Sequence, residues 1–121
     1  MGGKYKMMEN NNCGQIKISN EVVSTIAWIA ALEVEGVESS QSIADKLLKN
    51  NGVKIQLEEE VVTVDIMVVV KFGFAIPDVA FKVQENVKNA VETMTGLDVS
   101  QVNIHVQGVS FKKDKEEAKK N

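Results

Sequence analysis

The 121-residue sequence contains no arginine, and its fourteen basic residues are all lysines. Bidentate grips on phosphate and guanine depend on the planar guanidinium fork, so the commonest base-reading contact is excluded. A net charge of -3 also removes any general attraction to nucleic acid or anionic lipid. Cysteine is nearly absent. With Cys13 alone, no intrachain disulfide and no zinc cluster can be assembled, which fits a reducing cytoplasm. No stretch approaches the roughly 20 apolar residues that a spanning helix needs. The opening MGGKYKMMENNNCG lacks the apolar run of a secretory signal, and Lys6 stands where a myristoylation signal requires Ser or Thr. The expectation is a soluble cytoplasmic protein that meets a membrane only through a partner.

What is present is enough for one domain. At 44% hydrophobic and 26% charged residues, the composition is that of an ordinary folded protein with a core that needs no staple. We expect residues 14–111 to form that domain, with a flexible arm over 1–13 and a charged flexible tail over 112–121. GQIKIS (Gly14 to Ser19) alternates and predicts a short edge strand. Ser19 or Asn20 then caps a helix running to about Glu35. Its core stripe at 3.6 residues per turn is Val22, Val23, Ile26, Ala27, Ala30 and Val34. A short helix is expected around Ile43, Ala44, Leu47 and Leu48, stopped at Asn51-Gly52.

Two alternating segments follow, GVKIQLEE and VVTVDIMVVVKF, joined by an acidic turn near Glu59-Glu60. Period two in both predicts an antiparallel hairpin with one buried face, and rules out reading the Val-rich run as a membrane span. Gly73 breaks the second strand, and Pro77 and Asp78 suit the first turn of a long helix. Val79, Val83, Val87, Ala90, Val91 and Met94 form its stripe, and Gly96 suits its end. DVSQVNIHVQGV is the last strand. The order (β)αββαβ, with an extra short helix, predicts an α+β fold. It is a two-layer sandwich with two main helices on one face of a mixed three- to four-stranded sheet.

Candidate chemistry is sparse. Period two puts the sole histidine, His105, on the uncovered sheet face with Asp65, Met67 and Val69. An Asp–His pair can orient a base, but no nucleophile motif accompanies it, and one histidine with scattered carboxylates has no metal-ligand spacing. The plain reading is a solvated strand histidine. FGFAIPD has one glycine before its helix and an aspartate that repels anions, so it does not cradle phosphate. No catalytic, cofactor-binding or metal residues are assigned. RNA binding is the alternative function, because KH modules and RRMs are compact α+β domains. Here the G-x-x-G loop and the sheet-face aromatics of those modules are lacking.

Apolar residues off the core stripes carry more information. Trp28 and Leu32 stand one turn apart opposite the first helix's stripe, and Phe81 stands away from the stripe of the last. Either they form a partner-binding surface, with the aromatics as anchors, or the Ile43–Leu48 helix or the N-terminal arm covers the first pair.

From Gly14 onward the chain resembles the alkaline shock protein family of Gram-positive bacteria, also called the general-stress or envelope stress response family. The matching pieces are GQIKISNEVVSTIA, LEVEGVESS, GVKIQLEEEVVTVDIMVVVKFG, IPDVAFKVQENVKNAVETMTGLDV and VNIHVQGV. The I-P-x-V-A-x-x-V-Q-x-x-V block followed by E-x-M-T-G-L-x-V is the most specific. The length is similar to that of the small YloU-like members. The resemblance implies a cytoplasmic, non-enzymatic protein of cell-envelope homeostasis and alkaline or general stress. It further implies self-association or attachment to a membrane-anchoring partner, with no cofactor.

Overall fold

The computed structural model describes residues 14, 16–49 and 51–111, so the expected arm and tail lie outside the described residues. The elements in chain order are α1 (Asn20–Leu32), α2 (Gln41–Lys49), β1 (Val53–Glu58), β2 (Val61–Lys71), α3 (Ile76–Thr95) and β3 (Asp98–Ser110). Among the described residues the sheet has three strands in the order β1-β2-β3. β1 pairs antiparallel with β2, and β3 parallel to it, as a helical crossover requires. This is the expected α+β arrangement with three strands.

Among the described residues, the expected strand over Gly14–Ser19 does not form. Gly14 and the residues from Ile16 to Ser19 lie outside any strand, and Ile16 is exposed. So short an alternation offers few ladder bonds, and Ser19 is already committed as the α1 cap, its hydroxyl accepting from the Val22 N–H. The hairpin turn is the acidic one expected. Glu59 and Glu60 both have positive φ, the conformation a two-residue turn needs to match strand twist.

One row of β2 carries the core. Val62, Val64, Ile66, Val68 and Val70 are essentially inaccessible, as are Val83, Val87 and Val91 of α3. They form one cluster with Val23, Ala27 and Ala30 of α1. Full burial of each such side chain contributes about 1.5–3 kcal/mol relative to exposure. α1 packs against both α3 and β1, while α3 packs against β3. Met94, expected in the α3 stripe, is instead exposed on the last turn, beyond the packed arc.

The side of β2 that β1 leaves open is closed by other chain. Val37 bridges Val70, the Glu38 N–H donates to the Val69 carbonyl (2.7 Å), and the Lys71 N–H donates to the Gly36 carbonyl (2.7 Å). Gly36 has φ 101°. A Cβ there would lie 2.7 Å from Val79 Cγ2, so both backbone and space demand glycine.

Candidate interaction surface

Trp28, a candidate partner-surface residue in the sequence, is in the core. It is 8% exposed and clusters with Ala27 and Ala31, while Leu32 is half-buried. Because α1 nests between α3 and β1, its buried arc is wider than a single stripe and turned by roughly a quarter turn toward Trp28. That rotation leaves Val22 and Ile29 facing solvent instead. Trp28 and Leu32 therefore offer no open patch.

Phe81 is exposed, and it is not alone. All four phenylalanines of the chain (Phe72, Phe74, Phe81 and Phe111) are between 40% and 57% exposed. Ile76 and Val109 are exposed with them. The Phe72 and Phe111 ring centroids lie 5.1 Å apart at the shared end of β2 and β3. A chain that spends valine and alanine on its core and leaves every phenylalanine in contact with water presents anchors of the kind that dominate protein interfaces.

The opposite sheet face gathers the polar residues that the alternation assigned to it. Asn103 Nδ2 donates to Asp65 Oδ1 at 3.0 Å, and His105 Nε2 lies 3.4 Å from the same oxygen. The imidazole is half exposed, with a side-chain accessibility of 52%, and lines none of the described cavities. This arrangement steadies the imidazole but encloses no substrate. Met67 and Val69 are half-buried rather than open. Ile43 of α2 shares a cavity of about 340 Å³ with Val69 and Gly108, so part of α2 lies against this face.

Sequence reasoning missed Glu38. It is 4% exposed, accepting from the Ser40 N–H (3.0 Å) and the Ser110 hydroxyl (2.8 Å), which ties the end of β3 to the segment before α2. Of the two glutamates in VEGVESS, neither carries a periodic signal of burial. Sequence reasoning also missed a row of polar side chains on α3. Glu92 accepts from the Val99 N–H (3.0 Å), Lys88 donates to the Val99 carbonyl (3.1 Å), and Gln84 donates to the Val102 carbonyl (3.0 Å). The Glu92 carboxyl is held below its ordinary value, chiefly by the Val99 N–H and then by Lys88. Among the described residues no group of histidine, cysteine and carboxylates is arranged to hold a metal ion, and no helix is long and apolar enough to cross a membrane.

The chain is similar to known proteins along most of its length. Protein YqhY of Bacillus subtilis is 38% identical over 111 residues, covering 85% of this chain and 82% of that protein. YloU of the same organism is 39% identical over 106 residues, covering 79% and 88%. A stress response regulator gls24 homolog of Streptococcus pyogenes is 26% identical over 115 residues, covering 88% of this chain and 64% of the regulator. Among solved structures, MamM-CTD matches with a TM-score of 0.50 at 16% identity, covering 74% of this chain and 98% of that one, a likeness of fold alone. The alkaline shock resemblance read from the sequence is thus borne out. The profile of the alkaline shock protein 23 family, described by its cell envelope-related function, matches residues 8–111, and the chain belongs to this family.

Proposed function

We propose that the protein is a non-enzymatic, cytoplasmic interaction module of cell-envelope homeostasis and the alkaline or general stress response. It acts by self-association or by docking to a membrane-anchored protein. The observation that carries this reading is the exposure of all four phenylalanines on a domain whose core is otherwise complete. Membership of a family with an envelope-related function, and likeness to a stress response regulator homolog, supply the physiological setting. Phe81 is the anchor retained from the sequence reading, joined by Phe72, Phe74 and Phe111. The face bearing Asp65 and His105 is a solvated sheet surface in this scheme.

A pull-down from native lysate with the membrane fraction retained tests the reading. Tagged wild type should retain untagged copies of itself or an integral membrane protein, and a Phe74→Ser, Phe81→Ser variant of unchanged melting temperature should lose them. Recovery of RNA instead, weakening steeply with salt as phosphate contacts do, would replace this reading with the nucleic-acid one.

A further inference from the structure

One stripe of α3 follows the outer edge of β3. Glu92, Lys88, Gln84 and Phe81 recur at helical spacing, and the first three each satisfy a main-chain group of Val99 or Val102. Those groups therefore point away from β2. Period two then directs the N–H and C=O of Ile104 and Val106 outward as well. Among the described residues, neither makes a hydrogen bond outside the β2–β3 ladder. The next position of the stripe at their level is Phe81, which cannot hydrogen-bond to an edge and is 57% exposed. The helix caps the start of the edge and offers an apolar ring where the edge is bare.

We infer that this bare edge pairs antiparallel with the same edge of a second copy, about a two-fold axis through His105. The inference rests on the self-association arm of the proposed function. Two observations select a copy of this chain over a foreign strand. Residues 99–111 contain no Asp, Glu, Lys, Arg or Pro, so the edge has neither the charges that keep edges apart nor a charge code for another partner. A molecule of net charge -3 also meets its own copy best across a neutral surface.

The row is self-complementary as well. On either side of His105 stand β-branched Ile104 and Val106, then the amides Asn103 and Gln107. Antiparallel pairing about His105 sets Ile104 opposite Val106 of the second copy, and each such pair exchanges both main-chain bonds. The rings of Phe81 come together above the joined edge. A register shift between Val68 and Val69 marks a bulge in β3 just past Val106, which limits the pairing to a short stretch. The dimer is accordingly concentration-dependent rather than obligate.

Sedimentation velocity of the full chain over a range of concentrations tests this, with thermal melting of each variant alongside. His105→Lys puts like charges directly opposite one another across the axis, and should weaken dimerisation at least about tenfold without lowering the melting temperature. Gln56→Lys, the same charge on β1, should leave it unchanged. Phe81→Gln, exposed and on a helix, should weaken dimerisation similarly and carries the test if His105→Lys melts early. Dimerisation of both β3 and α3 variants at the wild-type affinity overturns the edge while leaving self-association standing. A wild type that stays monomeric to millimolar concentration overturns both. Equal loss in Gln56→Lys assigns the effect to net charge and overturns the edge.

Discussion

The two edges of the sheet are built on opposite plans. β1 is six residues long, carries exposed Lys54 and Glu58, and runs into Glu59-Glu60. Beyond its first residue (Val53), Gly36 to Glu38 continue the pairing of β2. β3 is thirteen residues long and bears no Asp, Glu, Lys or Arg after Asp98. Among the described residues, the hydrogen-bonding cover of its outer edge comes from the side chains of α3 and stops at Gln84. Charge and shortness protect one edge, whereas the other is protected over half its length. The comparison teaches that the side meant for solvent and the side meant for a partner can differ by a few side chains, with one hydrophobic core behind both.

The largest expected effect removes what the two edges share. Val68 is 1% exposed in the centre of β2. Val68→Asp buries an unpaired charge and should cost more than about 4 kcal/mol, abolishing the cooperative melt. An unchanged melting temperature would sink the assigned strand register.

Next, Gly36→Ala strikes the segment that pairs with β2 on the side away from β3, where it also crowds Val79 of α3 and Phe74. The left-handed backbone and the 2.7 Å approach to Val79 act together, for a loss of about 2–4 kcal/mol in urea unfolding. Association through β3, measured where the variant is still folded, should survive. Its disappearance would mean that the two edges are not independent.

Glu59→Asn with Glu60→Gly changes the turn between β1 and β2 in the other direction. Relief of two non-glycine residues at positive φ should stabilise the fold by about 1–2 kcal/mol, with no effect on association.

The smallest effect lies on the β3 side and depends on pH. The folded Glu92 carboxyl titrates below its unfolded value near 4.5, so its contribution is complete above that value. It is then lost as the pH falls through the lower folded value. The group is one-third exposed, so the contribution is below about 1 kcal/mol. The stability gap between wild type and Glu92→Gln should shrink as the pH falls below 4.5, and a gap that widened would contradict the assigned bonds.

Most of the architecture was legible because period is a local property. The alternation in VVTVDIMVVVKF placed β2 within one residue of its observed bounds, and Pro77 and Gly96 bracketed α3. The same local logic misread α1, since the direction in which a helix buries depends on its neighbours. Ala31 and Trp28 joined the core where α1 packs between α3 and β1. The candidate surface was legible in part. Phe81 stood out from its stripe, but the common fate of the four phenylalanines depends on how strand ends meet. Glu92, Lys88 and Gln84 read as ordinary surface polar residues until β3 lay next to them.

Hydrogen exchange resolved by residue, at several protein concentrations, tests the β3 edge most directly. The outward amides of Ile104 and Val106 should exchange more slowly as concentration rises, in step with dimerisation, while amides on the outer edge of β1 keep their rates. Rates at Ile104 and Val106 that ignore concentration while the protein dimerises, or protection that appears along β1 instead, would contradict the account.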